Sequence, residues 1–226
     1  MPVNLNYTEK GFGAPLILLH GNGEDNGFFK NQIDFFARKY RVIAPDTRGH
    51  GKSPRGSAPF TFDCFADDLK AFLDSLGIKK AHILGFSDGG NLALVFTLKY
   101  PEYTDRLILN SANLSPSGLK KSFLLPVKAL YTVFSLLSCF NNKAAKRREL
   151  IGLMVKQPDI PPEKLGGIKC PVLVIAGTND LIKEKHTHLI ADSIPGSRLC
   201  FLAGGHAAAQ TNSVEFNKTV ERFLEE

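Results

Sequence analysis

The sequence contains few cysteines, and their spacing excludes the common cysteine-based sites. Cys64, Cys139, Cys170 and Cys200 lie far apart in a chain of 226 residues, with no CxxC pair. Structural zinc sites and the disulfide frameworks of small secreted domains need closely spaced cysteines. We therefore expect reduced, structural thiols.

Targeting and membrane-spanning signals are also missing. The N-terminus, MPVNLNYTEKGFG, lacks the basic start and apolar stretch of a signal peptide, so we expect an intracellular, cytoplasmic protein. The longest apolar run, FLLPVKALYTVFSLLSCF at 123–140, approaches the length of a membrane span, but Pro126 and Lys128 interrupt it. Contact of this run and its flanking cations with an anionic membrane surface stays the weaker alternative.

Acidic residues are too few to balance the basic ones, and the formal charge is +6. Much of the excess gathers around six residues, Lys120, Lys121, Lys143, Lys146, Arg147 and Arg148. A solvated face explains this cluster at least as well as a nucleic-acid partner does, and we expect no nucleic acid.

Short apolar runs dominate the remaining pattern. With 43% hydrophobic and 22% charged residues, the chain suits one globular domain. Alternation at Val3, Leu5 and Tyr7 predicts a half-exposed edge strand, and continuous runs predict buried strands at 15–20, 41–45, 81–85, 106–110, 171–177 and 198–203. Segments with helical spacing lie between most of them, as at 62–77 and 213–226. The pattern predicts an α/β fold with a mostly parallel central sheet flanked by helices.

One interval breaks this alternation. From 114 to 169 no strand candidate occurs, and we interpret the interval as a helical insertion that caps the sheet. The predicted organisation is a core in two parts, 1–113 and 170–226, with the cap at 114–169, and one domain overall.

A serine between glycines follows the predicted strand at 81–85. Gly85-Phe86-Ser87-Asp88-Gly89 has the form G-x-S-x-G, with a strand before it and a helical run after it. Such a sharp turn strains the serine backbone, and glycines two residues to either side avoid collisions with the neighbouring strand and helix. The serine hydroxyl then lies beside a helix N-terminus, which favours developing negative charge. Ser87 is therefore the candidate nucleophile.

A serine nucleophile needs a base, and the base needs an orienting acid. Among six histidines, His206 follows the last predicted strand on a glycine-containing loop, so we predict that it is the base. Asp180 in AGTND follows the strand at 171–177, and we predict that it is the acid, although an N-cap role is also typical of aspartate there. Asp105 precedes its strand and lies at the wrong sheet edge.

Two backbone amides are predicted to form an oxyanion hole. One belongs to Asp88, the residue after the nucleophile, and the other to Asn22 in the loop HGNG at 20–23. We expect the Asp88 side chain to favour the helix N-terminus without taking part in chemistry.

Five motifs in this order resemble the α/β-hydrolase fold superfamily: HGNG at 20–23, DTRGHGKS at 46–53, GFSDGG at 85–90, GTND at 177–180 and GGH at 204–206. The resemblance implies hydrolysis through a covalent acyl-enzyme and a variable helical cap inserted after the sixth strand. It gives Asp46, Arg48, Gly49 and His50 a structural role. The chain is short for this superfamily, so its N-terminal strands and cap are expected to be reduced. Members with an aspartate nucleophile, the dehalogenases and epoxide hydrolases, are disfavoured because residue 87 is serine.

These residues predict a serine hydrolase resembling carboxylesterases, acting on an ester or related acyl bond of a small, hydrophobic molecule and needing no cofactor or metal. Thioesterase, C–C hydrolase or perhydrolase chemistry, or a ligand receptor without catalysis, remain alternatives. Apolar cap residues, including Phe123, Leu130 and Phe134, either line the acyl pocket or only pack on the core. Nothing in the sequence predicts an oligomeric state.

Overall fold

The structure, a computed structural model, describes residues 2–226 and contains seven strands joined mainly by helices. The strands are β1 (Tyr7–Lys10), β2 (Pro15–Leu19), β3 (Arg41–Pro45), β4 (Ala81–Phe86), β5 (Thr104–Asn110), β6 (Val172–Gly177) and β7 (Arg198–Leu202). The α-helices are α1 (Lys30–Phe36), α2 (Phe62–Ser75), α3 (Asp88–Lys99), α4 (Lys121–Leu137), α5 (Asn142–Lys156), α6 (Glu184–Ser193), α7 (Ala208–Thr211) and α8 (Ser213–Leu224). Short 3-10 helices span Asn26–Phe29, Pro101–Tyr103, Pro116–Gly118 and Pro162–Gly167.

The strands form one sheet in the order β1-β3-β2-β4-β5-β6-β7. All neighbouring pairs are parallel except β1 with β3. The order reverses beside β2, since β3 lies on one side of it and β4 on the other. Ligand sites in such sheets lie outside the carboxyl ends of the strands at this reversal, which places β2 and β4 at the expected position.

Alternating side chains of the strands fill two hydrophobic layers, one on each face of the sheet. In β2, Ile17 and Leu19 enter the layer that contains residues of α2, α3 and α6, whereas Leu16 and Leu18 enter the layer that contains residues of α1 and α8. All four side chains have no exposed surface. Burial on both faces explains why the parallel strands read as continuous apolar runs.

Helix α2 shows how local sequence sets element boundaries. The Thr61 side chain accepts a hydrogen bond from the Cys64 amide and caps the N-terminus. At the other end Gly77 takes a φ of +68°, and the amides of Gly77 and Ile78 donate to carbonyls of the last turn. This Schellman motif ends α2 and satisfies two of its last carbonyl groups.

Two boundaries differ from the sequence expectations. The N-terminal edge strand covers Tyr7–Lys10, not residues 3–7, because β1 pairs in antiparallel register with β3 while Leu5, ahead of the strand, is buried in the core. The segment between the core parts follows β5, not a sixth strand, because β1 is the one described strand that precedes β2.

The segment from 114 to 169 contains α4, α5 and two short 3-10 helices. The core holds its start through Leu119, which pairs with Ile182, and through the Leu114 amide, which donates to His186 Nε2 at 2.9 Å. Across residues 2–226, the helices are all too short or too polar to cross a bilayer.

Candidate active site

Ser87 lies on a strained turn between β4 and α3. Its φ and ψ are +53° and −118°, a backbone conformation that non-glycine residues rarely adopt. A Cβ on Gly85 would lie 2.2 Å from the Gly89 carbonyl oxygen, and one on Gly89 would lie 2.0 Å from the Leu19 carbonyl oxygen in β2. The glycines are therefore required by the close approach of α3 to β4 and β2, as the G-x-S-x-G pattern predicts.

Three side chains from separate strand ends form one hydrogen-bonded chain. His206 follows β7, and its Nε2 atom lies 2.9 Å from Ser87 Oγ. Its Nδ1 atom lies 2.6 Å from Oδ1 of Asp180, which follows β6. Because a carboxylate only accepts hydrogen bonds, Nδ1 carries the imidazole proton and Nε2 is free to accept from the serine hydroxyl. This arrangement is competent for proton transfer from Ser87 to His206.

Asp180 is surrounded by donors. Besides His206, its carboxylate accepts hydrogen bonds from Ser111 Oγ at 2.6 Å, from the Ile182 amide at 3.0 Å and from the Gly177 amide at 3.2 Å. Burial is the largest effect on the pKa of Asp180 and raises it, but the hydrogen bond and charge of His206, with the bonds from Ser111 and Ile182, lower the pKa below its ordinary value. Asp180 is thus held as the anion that pairs with a protonated His206.

Ser111 is a site residue that the sequence analysis missed. It follows β5 and takes a φ of +56°, the second positive φ found among the described non-glycine residues. Its hydroxyl donates to Asp180 and its side chain is buried. The available signal was its position directly after a strand run, at the same sheet edge as the other site residues.

The two predicted oxyanion donors lie on adjacent loops. The Asn22 side chain donates to Oδ2 of Asp88 at 2.8 Å and to the Leu150 carbonyl of α5 at 2.8 Å, which ties the HGNG loop to both the helix and the cap. Asp88 is the first residue of α3, where a backbone N–H has no acceptor within the helix. Asn22 and Asp88 both line the cavity that contains Ser87.

Buried polar contacts fix the HGNG loop from behind. His20 Nε2 accepts from the Thr47 amide at 3.0 Å, so its Nδ1 carries a proton and donates to the Gly21 carbonyl at 2.8 Å. Burial lowers the pKa of His20, which keeps the imidazole neutral. Asp46 accepts from the amides of Asn26 and Lys52 and orders the neighbouring DTRGHG loop. These contacts agree with the structural role expected for that loop.

Two further carboxyl groups face the same cavity. Asp88 accepts hydrogen bonds from Asn22 and Asn91, yet burial dominates and raises its pKa to about 6. Burial also raises the pKa of Glu24, whose carboxylate accepts from the Gly21 amide at 3.0 Å. Within the part of the chain that the structure describes, the cavity lining includes no Lys or Arg. The described lining therefore offers a negatively charged ligand no lysine or arginine partner.

The cavity itself is small, at about 200 Å³. Its lining residues come from the strand ends and the cap and are Gly21, Asn22, Glu24, Phe86, Ser87, Asp88, Asn113, Leu119, Phe123, Met154, Leu181, His206 and Ala207. A larger depression of about 660 Å³ lies outside this site, between α3 and the 159–167 region. It contains neither the serine nor a histidine, so the smaller cavity is the candidate active site.

The structure places only one of the three cap residues that were predicted to contact substrate at the cavity. Phe123 lines the cavity, whereas Leu130 and Phe134 do not, and their assignment to the substrate pocket is corrected. The physical reason is that α4 reaches the cavity only near its N-terminus. Leu130 is 46% exposed to solvent, and Phe134 packs under the guanidinium of Arg147 at 5.4 Å. Met154 of α5 supplies the other cap contact, which the sequence analysis did not predict.

A family model described as the alpha/beta hydrolase fold matches residues 14–144, more than half of the chain. The chain belongs to the α/β-hydrolase fold family. The seven-stranded, mostly parallel sheet flanked by helices agrees with that assignment.

Curated relatives of this hydrolase span nearly the whole chain. The serine hydrolase BPHL of Homo sapiens is 30% identical, with 99% of this chain and 84% of the relative covered. The 2-hydroxy-6-oxo-6-phenylhexa-2,4-dienoate hydrolase of Burkholderia cepacia is 36% identical, with 97% and 91% covered. A solved hydrolase structure from Pseudomonas aeruginosa PA01 superimposes with a TM-score of 0.82 at 26% identity, covering 99% of this chain and 95% of that one. The relatives thus include a serine hydrolase and a hydrolase of a dienoate.

The four cysteines are free, and among residues 2–226 no cluster of three or more His, Cys, Asp or Glu side chains is arranged to hold a metal ion.

Proposed function

We propose that this α/β-hydrolase is a serine esterase that cleaves small, uncharged carboxylic esters through an acyl-enzyme on Ser87. The observation that carries the proposal is the continuous hydrogen-bonded chain from Ser87 through His206 to Asp180, with distances of 2.9 and 2.6 Å. Nucleophile, base and orienting acid are each within hydrogen-bond reach of the next. The positive φ of Ser87 supports the same conclusion, because strained backbone is concentrated at functional sites.

In the acylation step, His206 Nε2 takes the Ser87 proton as Oγ attacks the ester carbonyl carbon. The carbonyl oxygen becomes an oxyanion, and the amides of Asn22 and Asp88 donate to it. Each such donor contributes about 3 kcal/mol to transition-state stabilisation in hydrolases where one has been removed. Collapse of the tetrahedral intermediate breaks the ester C–O bond, and the departing alcohol takes the proton from Nε2.

Deacylation repeats these transfers with water. His206 removes a proton from the water as its oxygen attacks the acyl carbon, and the acid leaves when the proton returns to Ser87 Oγ. Asp180 stays ionised throughout and stabilises the imidazolium formed in each half-reaction. Its lowered pKa, the net result of opposing burial and hydrogen bonding, supports this role.

Cavity size and charge define the preferred substrate class. A volume of about 200 Å³ is below the ~300–1,000 Å³ of sites for drug-sized ligands, which favours a short acyl group. Apolar contacts from Leu119, Phe123 and Met154 suit a hydrocarbon chain. Among residues 2–226, the lining includes the carboxyl groups of Glu24 and Asp88 and no Lys or Arg, so an acid or dienoate anion would find no lysine or arginine partner there.

C–C bond hydrolysis is the second candidate, and the 36% identity to the dienoate hydrolase of Burkholderia cepacia is the observation that favours it. That relative's named substrate is an anion, and the lining of this cavity offers two carboxylates in place of a cation. We therefore rank ester hydrolysis first.

A substrate panel tests the proposal. Initial rates are measured for p-nitrophenyl esters of increasing acyl length, an acyl thioester, a carboxylate-bearing ester and a dienoate. We expect the highest kcat/KM for short neutral esters; faster turnover of the dienoate than of any ester would refute the assignment.

A fluorophosphonate probe tests the nucleophile separately. It should label the wild type and the Ser57→Ala control, whose serine is exposed on a distant loop, but not Ser87→Ala. A folded wild-type protein that resists labelling and turns over no substrate would support the receptor alternative.

A further inference from the structure

Helix α4 has two apolar faces, and only one of them contacts the protein. Leu124 is its one buried residue, in a small cluster with Leu119 and Ile182. The opposite face exposes large apolar side chains, which at about 100° per residue fall within an arc of about 140° on one side of the helix. They are Leu125 (62% exposed), Leu130 (46%), Val133 (49%), Leu136 (70%), Leu137 (48%) and, just beyond the helix, Phe140 (90%).

These six residues, which we call the outer face of α4, make up most of the exposed large apolar residues of the molecule. Outside them, large apolar side chains are exposed only singly in the described chain, at Tyr7, Phe12, Leu189 and Val214. Single exposed apolar residues are normal for a protein surface, but a contiguous patch marks a contact with a partner or a membrane.

The charge around the outer face identifies the kind of partner. From 114 to 148 the sequence contains no Asp or Glu, so this segment alone exceeds the formal net charge of +6 for the whole chain. Its cations are Lys120, Lys121, Lys128, Lys143, Lys146, Arg147 and Arg148. The first acidic residue after it, Glu149, is paired with Arg55 at 2.6 Å on the core side.

We propose that the outer face of α4 docks on the surface of a bilayer that contains anionic lipids, with its apolar side chains among the acyl chains and the flanking cations at the headgroups. An apolar helix face bordered by Lys and Arg is the pattern of a helix that lies in the membrane interface. The helix does not span the bilayer, in agreement with the absence of any spanning helix among residues 2–226.

Charge also decides against a second copy of the chain as the occupant. A two-fold contact through the outer face would bring two segments together that each carry seven cations and no carboxylate. Nucleic acid would pair with the cations but would leave the six apolar side chains of the outer face exposed to water. From the sequence, membrane contact of this run is only the weaker alternative, because an apolar helix of this length is equally typical of a packed cap. The exposure of α4 in the structure favours membrane contact instead.

Docking through α4 goes beyond the proposed esterase activity and has a consequence for it. Phe123, near the start of α4, lines the active-site cavity, and Asn22 of the oxyanion loop bonds to the Leu150 carbonyl of the adjoining helix α5. The cap that meets the membrane is thus the cap that covers Ser87.

Co-sedimentation with lipid vesicles tests the proposal on the full chain. We expect the protein to sediment with phosphatidylcholine vesicles that contain phosphatidylserine, to bind pure phosphatidylcholine much more weakly, and to be released by salt. Removal of one headgroup cation by Lys128→Ala should weaken binding to the anionic vesicles about fivefold. Equal binding to both vesicle types, or no binding to either, would overturn the proposal.

A pair of substitutions separates docking from folding and from catalysis. Leu136→Asp combined with Phe140→Asp should abolish vesicle binding while hydrolysis of a water-soluble p-nitrophenyl ester is unchanged, since neither residue lines the cavity. Val214→Asp, at a site on α8 that is 67% exposed, is the matched control and should bind vesicles like the wild type. If the wild type is instead a dimer by light scattering and the double variant a monomer, the outer face is a contact between copies and membrane docking is wrong.

Discussion

Replacing Asp180 with asparagine tests how the acid orients His206, because the site offers Asp180 only donors. Oδ1 faces His206 Nδ1 and the Ile182 amide, and Oδ2 faces the Ser111 hydroxyl and the Gly177 amide. An asparagine side chain must present its NH₂ group to one of these two pairs. The two orientations have different consequences for catalysis.

If the NH₂ group replaces Oδ1, it faces two N–H donors, those of His206 and Ile182. His206 can then accept from the NH₂ group only as the tautomer that carries its proton on Nε2, and in this tautomer Nε2 cannot accept the hydrogen bond from Ser87. If it replaces Oδ2, the Ser111 hydroxyl can rotate and accept, since a hydroxyl is both donor and acceptor. Only the longer contact, 3.2 Å from the Gly177 amide, is then lost. We therefore expect Asp180→Asn to keep the productive tautomer of His206.

The expected loss follows from what this orientation removes. A hydrogen bond to a charged group contributes about 1.5–3 kcal/mol, and the variant replaces it with a neutral one. A neutral hydrogen bond contributes about 0.5–1.5 kcal/mol, so the difference is about 1–1.5 kcal/mol. At 1.36 kcal/mol per tenfold, kcat/KM should fall about 5- to 13-fold. Loss of the productive tautomer, as in serine proteases where the triad acid becomes asparagine, costs about 10⁴-fold instead.

Ser111→Ala tests whether the Ser111 hydroxyl accepts from the asparagine NH₂ group. By itself it should lower kcat/KM only about fivefold, because it removes one of the four hydrogen bonds that the Asp180 carboxylate accepts and leaves the bond from His206 in place. In Asp180→Asn combined with Ser111→Ala, no acceptor remains for the NH₂ group, and we expect the loss to approach about 10⁴-fold. Rates with a short p-nitrophenyl ester measure all four proteins. A 10⁴-fold loss in Asp180→Asn alone would refute the rotation of Ser111, and wild-type activity would refute Asp180 as the acid.

Three further substitutions test the site and its support. Gly89→Ala should lower the free energy of unfolding by about 1–3 kcal/mol, because its Cβ would lie 2.0 Å from a β2 carbonyl oxygen. Gly166→Ala, whose Cβ meets nothing within 4 Å, is the control, and equal urea midpoints for the two variants would contradict the collision. Asp88→Asn should gain stability relative to wild type as the pH rises from about 4 to about 7. Burial raises the pKa of Asp88 to about 6, so ionisation of this carboxyl group in the wild type opposes folding by up to about 3 kcal/mol. A stability difference that is constant with pH would show that Asp88 is not perturbed. Asp68→Asn removes the carboxylate that accepts two hydrogen bonds of 2.6 Å from the buried Arg48, and should reduce the free energy of unfolding by about 3–5 kcal/mol. Asp34→Asn, in an exposed ion pair with Lys10, is the control and should change it little. Similar urea midpoints for these two variants would contradict the importance of the buried pair.

Much of the fold was predictable because parallel strands buried on both faces leave continuous apolar runs. All six such runs correspond to strands β2 to β7. The edge strand was misplaced, since Val3, Leu5 and Tyr7 alternate as a strand would, yet β1 begins only at Tyr7. Pairing with β3 decides that boundary, and an alternating pattern does not record which partner a strand finds.

The candidate triad was predictable for a related reason. Ser87, Asp180 and His206 each follow a strand run, and the carboxyl ends of parallel strands meet at one edge. The contribution of Ser111 was not predictable, because serine after a strand is common and only its positive φ and its bond to Asp180 distinguish it. The same limit applied to Leu130 and Phe134, whose apolar character is equally consistent with either face of α4.

The sequence by itself determined the order of strands and helices, the glycines of the turn at Ser87 and the residue types of the candidate triad, because these depend on local spacing and local backbone conformation. The tertiary structure decided what depends on contacts between distant segments: the hydrogen-bonded chain from Ser87 to Asp180, the small carboxylate-lined cavity and the outward face of α4. Apolar side chains are favoured both in a protein core and in a membrane because both environments remove them from water, so the sequence alone could not assign α4 to either.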